Sequence, residues 1–126
     1  MINIDARNSK PIYEQIIDSI KENVVRGIFA PGDRIPSIRE LSKLITANPN
    51  TVSKAYLELE RQKVIETVPG RGTFISARYK PSADEDRLYS VKTKLKGIAV
   101  EAHYLGLDKE GVKGMLEEIY KEIERK

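Results

Sequence analysis

The sequence predicts a mainly α-helical fold with one small β-hairpin. Three observations lead to this fold class. Apolar residues recur at helical spacing between residues 11 and 62, two strand-like segments flank the turn TVPGRG, and a heptad-like apolar seam follows residue 87. We therefore expect an N-terminal unit at 1–76, a linker at 77–86 and a helical C-terminal region at 87–126.

The first predicted helix covers residues 11–26, where five aliphatic side chains share one helical face. Pro11 suits the first helical position and Gly27 suits a C-terminal cap. In the next segment, FAPGDRIPS, Pro31 and Gly32 indicate a turn, and we expect no regular structure because a second proline interrupts it. The aliphatic residues are Ile12, Ile16, Ile17, Ile20 and Val24.

Two short helices follow, separated by a tight turn. Ser37 and Glu40 have the spacing of a capping box, which predicts a helix at about 37–45. Asn48 suits the N-cap of the next helix, and Pro49 suits its first turn, where a missing N–H costs nothing. Because so few residues separate the two helices, they predict a helix-turn-helix rather than a parallel bundle.

The segments KVIE and GTFIS predict a β-hairpin directly after the third helix. Gly70 and Gly72 allow a tight bend, and Arg71 lies at the tip. Three helices followed at once by a hairpin form a winged helix-turn-helix, in which the third helix enters the DNA major groove. We expect the helix at 49–62 to do this, with the wing at 67–73 near the minor groove.

The third helix separates its residues into two faces. Val52, Ala55, Tyr56 and Leu59 cluster as core on a helical wheel. The opposite face begins with short hydrogen-bonding side chains and one cation, which can contact base edges or phosphates. In isolation, an ordinary cap followed by a solvated helix face is the commoner explanation of these residues. The polar residues are Asn50, Thr51, Ser53 and Lys54.

Arg71 between two glycines is expected to contact a phosphate or the minor groove, where the negative potential attracts arginine. The alternative for this residue alone is a solvated turn arginine.

The distribution of charge along the chain gives modest support for a polyanion partner. Residues 1–80 carry 13 Lys/Arg and 9 Asp/Glu, a balance of +4, whereas residues 81–126 carry 9 and 10, a balance of −1.

The C-terminal region predicts a homodimer interface. Gly106 ends one helix and Asp108 caps another, and the apolar seam of a single helix cannot bury itself. The alternative is that both helices cover the winged unit of their own chain. The predicted interface comprises Leu88, Val91, Leu95, Ile98, Ala102, Leu105, Val112, Leu116 and Ile119.

Composition excludes several other classes. The 126 residues contain no cysteine, so neither a disulfide framework nor a cysteine-based metal or redox site is expected. The N-terminal segment MINIDARNSK lacks the features of a signal peptide, and no apolar stretch approaches a membrane span, so we expect a cytoplasmic protein. The only histidine, His103, has no identifiable partners. No catalytic, metal or cofactor motif occurs.

The segments PIYEQI, GIFAPGDRIPSIRELSKL, NPNTVSKAYLELE and GRGTFIS occur in an order that resembles the DNA-binding domain of GntR-family bacterial transcription regulators. The NPNTVSKAY form and the short C-terminal region resemble the YtrA-type branch. The resemblance implies a dimeric repressor that binds a palindromic double-stranded DNA operator. It implies DNA-binding roles for Arg39, Asn50, Thr51, Ser53, Lys54, Gly70, Arg71 and Gly72. We expect the two capping residues, Ser37 and Asn48, to belong to the same DNA-binding site.

This sequence departs from the family at four positions. Thr46 occupies a position that is usually glycine, so the turn is expected to differ slightly. Pro49 and Ser53 replace arginines of other branches, so base contacts of those branches do not transfer. Leu57 points outward where a polar residue is commoner. The sequence identifies no small-molecule effector, and a protein-interaction module is the competing function.

Overall fold

The chain forms two units, one ending at Tyr79 and the other following it. A computed structural model describes residues 2–79, 81 and 84–124. Within these residues the N-terminal unit has three helices and a three-stranded sheet, and the C-terminal unit has two helices. In chain order the elements are α1 (Ile12–Val25), β1 (Arg34–Ile35), α2 (Ile38–Leu44), α3 (Pro49–Arg61), β2 (Ile65–Val68), β3 (Gly72–Ile75), α4 (Glu85–Tyr104) and α5 (Lys109–Ile123).

The starts of the helices in the N-terminal unit lie within one residue of those predicted, and the caps of α2 and α3 explain why. The Ser37 hydroxyl accepts the backbone N–H of Glu40 at 3.1 Å, and the Glu40 carboxylate accepts the Ser37 N–H at 3.2 Å. These two bonds complete the predicted capping box. The Asn48 side-chain oxygen accepts the N–H of Asn50 at 2.8 Å and starts α3. Both α1 and α2 pack on α3.

The sheet has three strands rather than the two of the predicted hairpin. Strands β2 and β3 pair antiparallel as expected, with Val68 opposite Gly72. Strand β1 pairs with the other edge of β3, with Arg34 opposite Phe74. The expectation of no regular structure before Pro36 was therefore wrong at Arg34–Ile35. The free edge of β3 supplies backbone partners that the local sequence does not reveal.

The core of the N-terminal unit lies between the three helices and the sheet. The predicted core face of α3 is buried, with Val52, Ala55 and Leu59 fully inaccessible. Tyr56 is also buried, and its hydroxyl donates to the Pro36 carbonyl at 2.6 Å. Burial raises the pKa of this hydroxyl. Since one face of α3 is committed to the core, its polar face is fixed outward.

The turn between α2 and α3 contains a strained residue. Thr46 has a φ of 52°, in the left-handed region that β-branched residues rarely adopt. The N–H of Ala47 donates to the Ser42 carbonyl at 3.0 Å and closes the turn. The turn thus has the left-handed conformation suited to glycine, and Thr46 carries the strain.

The C-terminal unit begins inside the segment predicted as linker. The Asp84 carboxylate accepts the backbone N–H of Asp86 at 2.9 Å, and α4 starts at Glu85. Predicted linker positions 80, 82 and 83, and positions 125 and 126 of the C-terminal region, lie outside the described residues. Gly106, at φ 81°, follows the end of α4, and Asp108 caps α5 as predicted. No helix in the described parts of the chain is both long and apolar enough to cross a membrane.

Candidate nucleic-acid interface

The first turns of α3 present the polar side chains predicted from the sequence. Asn50 and Lys54 are exposed, and Thr51 and Ser53 are half-buried. The side-chain oxygen of Asn48 is occupied by the capping bond, so this residue fixes the start of α3. The arrangement is a helix end with short hydrogen-bonding groups held in a defined orientation.

Lys54 has a contact that sequence reasoning missed. Its ammonium group lies 3.9 Å from the centroid of the Tyr13 ring, which is a cation–π interaction. Tyr13 belongs to α1, and its hydroxyl donates to the Glu14 carboxylate at 3.3 Å. The two residues are distant in the chain, and only the packing of α1 on α3 brings them together. The contact holds the cation of α3 beside an aromatic face.

The start of α2 carries Arg39 in an exposed position next to the capping box. The Ser37 hydroxyl is occupied by the cap, so Ser37 orients the first turn of α2. The pKa of the Glu40 carboxyl is lowered, mainly because it accepts the backbone hydrogen bond of Ser37, with further contributions from the Ser37 side chain and the Arg34 charge. Glu40 therefore keeps a negative charge at the end of the helix that favours one.

The wing tip is built as the sequence predicts. Gly70 and Gly72 have φ values of 77° and 126°, where glycine is favoured. The Arg71 N–H donates to the Val68 carbonyl at 2.9 Å and closes the turn. Arg71 is exposed between the two glycines. The three predicted wing residues thus form one projecting tip.

Arg34 is a second residue that sequence reasoning missed. Strand β1 places its side chain beside Gly72, and its guanidinium lies 3.6 Å from the Glu40 carboxylate. In the local sequence, Arg34 is simply a basic residue two positions before Pro36. Its neighbours come from the wing and from α2, so the local sequence could not identify them.

The C-terminal unit has an exposed apolar face that includes most of the predicted dimer residues. Seven of them are 45–72% exposed: Leu88, Val91, Leu95, Ile98, Leu105, Leu116 and Ile119. Val112 is half-buried. Ala102 differs because it is only 6% exposed within its own chain. It lines a groove of about 220 Å³ between α4 and α5, together with Leu95, Ile98 and Leu116.

The described residues offer no candidate metal centre. Across residues 2–79, 81 and 84–124, no group of three or more His, Asp or Glu side chains is positioned to hold a metal ion. A polar cavity of about 400 Å³ lies between the N-terminal segment and α1, and none of the predicted DNA-binding residues lines it.

Known proteins share both the sequence and this architecture. The family described as "Bacterial regulatory proteins, gntR family" matches residues 12–75. The HTH-type transcriptional repressor YtrA of Bacillus subtilis (strain 168) is 50% identical over 123 residues, which is 98% of this chain and 95% of that protein.

Solved structures extend the comparison. The crystal structure of a transcriptional antiterminator from Listeria monocytogenes EGD-e is 44% identical, with a TM-score of 0.88, over 100% of this chain and 94% of that chain. The crystal structure of AraR(DBD) in complex with operator ORR3 is 27% identical, with a TM-score of 0.52, over 59% of this chain and 89% of that chain.

These similarities confirm the mainly helical winged fold class and the predicted resemblance to the YtrA-type branch. They also confirm the prediction of a DNA-binding transcription regulator rather than an enzyme, since the family consists of regulatory proteins. The chain belongs to the gntR family of bacterial regulatory proteins.

Proposed function

We propose that this protein is a repressor that binds a palindromic DNA operator as a homodimer. The observation that carries the proposal is the polar N-terminal face of α3, held outward by a buried opposite face and followed by an exposed arginine wing. The similarity to a repressor and to a domain in complex with its operator supports this function.

Helix α3 has the chemistry to read base edges in the major groove. Asn50 can form two hydrogen bonds with adenine, while Thr51 offers a hydroxyl and a methyl group. Ser53 adds another hydroxyl, and Lys54 can reach guanine or phosphate. The N-terminus of α3 further favours a phosphate through its dipole. We assign sequence reading to this face and backbone contacts to Arg39 and Arg71.

Ser37 and Asn48 support the interface through their caps. Both use their side-chain oxygens to fix a helix start, and these helices carry Arg39 and Asn50. Gly70 and Gly72 have a corresponding role in the wing, because their positive φ values project Arg71. These four residues therefore set the geometry of the contacts.

The homodimer is supported by the exposed apolar face of α4 and α5. An apolar surface of this kind is unfavourable in water and marks an interaction site. A second copy of the chain offers an identical face, as a two-fold interface requires. Two winged units would then contact half-sites about 34 Å apart, one DNA turn. The protein would act in the cytoplasm, where bacterial DNA is accessible.

A selection from random-sequence DNA duplexes at about 0.15 M salt tests the proposal. We expect recovery of an inverted repeat with half-sites about one turn apart. Lys54→Gln and Arg71→Gln should weaken binding to that site, and Arg26→Gln removes an equal charge at the far end of α1 and should not. Recovery of no consensus would instead favour a protein-interaction module.

A further inference from the structure

We propose that Arg34 is an additional contact to the DNA backbone, positioned between the wing and the start of α2. This inference rests on the DNA-binding function proposed above. It concerns a residue of β1, the strand that the sequence did not predict. Three features of its surroundings support the role: its contact with the wing, its ion pair with α2 and its unused hydrogen-bonding capacity.

The first feature is the position of Arg34 against the wing. Strand β1 pairs with β3, and Arg34 lies opposite Phe74. Its side chain then runs across Gly72, the first residue of β3. A β-carbon added to Gly72 would lie 2.9 Å from the Arg34 Nε, which is closer than van der Waals contact allows. The absence of a side chain at Gly72 therefore lets the Arg34 guanidinium lie against the wing backbone.

The second feature is the link to α2. The Arg34 Nη2 lies 3.6 Å from the Glu40 Oε1. Glu40 is itself held by the capping box with Ser37, directly beside Arg39. One guanidinium thus connects the wing with the first turn of α2. Both elements carry residues that we assign to the DNA interface, so Arg34 lies beside two parts of that interface.

The third feature is the hydrogen-bonding capacity of the Arg34 guanidinium, which remains available to a ligand. The Arg34 side chain is 59% exposed, and it donates no hydrogen bond within the described residues. Guanidinium has five N–H donors and binds phosphate in a bidentate manner. An exposed ion pair at 3.6 Å is weak and is screened by salt. A DNA phosphate can therefore bind the free donors of Arg34, with Glu40 retained or displaced as its partner.

The test measures operator affinity and its salt dependence for Arg34→Gln, with Arg34→Lys retaining the charge. We expect Arg34→Gln to weaken binding about tenfold, as for removal of a charged hydrogen bond. The slope of log affinity against log salt should fall by about one unit for each phosphate interaction that a substitution removes. Arg34→Lys should retain most of the slope. The control is Arg26→Gln, since Arg26 lies at the opposite end of α1 from Tyr13, about 20 Å along the helix.

A further variant separates contact with DNA from bracing of the wing. Glu40→Gln keeps the capping box, because glutamine serves at this position, but it removes the ion pair with Arg34. A phosphate contact predicts unchanged or tighter binding in Glu40→Gln, whereas bracing alone predicts weaker binding. An unchanged slope in Arg34→Gln, or weaker binding in Glu40→Gln, would overturn the inference.

The two proposals fail in different ways. If the unsubstituted protein binds no DNA sequence selectively, the proposed function fails and the role of Arg34 fails with it. If the unsubstituted protein binds its operator and Lys54→Gln weakens that binding, but Arg34→Gln has no effect, only the Arg34 contact is refuted. Circular dichroism of each variant confirms that the winged unit remains folded.

Discussion

The Ile98→Ala substitution is expected to weaken the proposed homodimer by about 30-fold in Kd. Ile98 is 53% exposed in the single chain, so about half of its apolar surface is available for burial in a dimer. Full burial of such a side chain stabilises by about 1.5–3 kcal/mol, so the available half contributes about 1 kcal/mol. A two-fold interface contains this side chain twice, which gives about 2 kcal/mol for the dimer.

Val100 provides a matched control on the same helix. It is 52% exposed, almost the same as Ile98, but it lies two residues away, about 200° around α4 and outside the seam. Val100→Ala should therefore leave the Kd of the dimer within about threefold of the original, a difference below 1 kcal/mol. Sedimentation equilibrium over a dilution series measures both values. Equal effects of the two substitutions would refute the assignment of the interface to the seam.

Three further predictions concern the N-terminal unit. A double-mutant cycle of Tyr13→Leu and Lys54→Met, measured by urea unfolding, should give a coupling free energy of about 0.5–1 kcal/mol for the cation–π contact, and a coupling near zero would contradict it. Thr46→Gly should raise the free energy of unfolding, measured by thermal denaturation, by about 0.5 kcal/mol. The reason is that relief of left-handed strain of about 1–2 kcal/mol outweighs the entropy cost of glycine. Thr46→Ala retains the strain and should not raise the free energy of unfolding. Hydrogen bonds from Arg61 and Gln62 lower the pKa of Glu58 to about 2. The ionised Glu58 therefore stabilises the folded protein fully at pH values above the ordinary pKa of glutamate, and this stabilisation is lost as the pH falls towards 2. Solvent screening limits this contribution to about 1 kcal/mol, and Glu58→Gln should flatten the acid limb of the stability curve by that amount.

Local signals explain why most of the fold could be predicted. The capping box of Ser37 and Glu40 acts within four residues, so its meaning does not depend on the rest of the chain. The same is true of the cap at Asn48 and of the Gly70 turn. The apolar spacing of α3 then identifies which of its faces is buried, and this decides which polar residues face outward.

Most of the features that could not be predicted depend on partners distant in the chain. Strand β1 has two residues and forms because β3 offers a free edge. The contact of Lys54 with Tyr13 needs the packing of α1 on α3, and the position of Arg34 needs both β3 and α2. Thr46 could not be predicted for a different reason. The turn closes with Thr46 in the left-handed region, against the conformational preference of threonine.

The burial pattern suggests that the C-terminal unit depends on association for its stability. Within the described residues of α4 and α5, Ala102 is the only buried side chain. Most of the stability of a helix in a protein comes from tertiary packing, and α4 and α5 have little of it within the single chain. Folding of this unit and formation of the proposed homodimer would then be one equilibrium, controlled by protein concentration.

This coupling has a consequence for repression. In the proposed homodimer, each winged unit would bind one half-site. Binding of the first unit would then raise the effective concentration of the second unit at the other half-site. Dilution below the Kd of the dimer would remove that gain and melt α4 and α5 together. Loss of helical signal and loss of operator affinity should therefore occur over the same range of protein concentration, and Ile98→Ala should shift both by the same factor. A change in the level of the protein would then release the operator without any small-molecule effector.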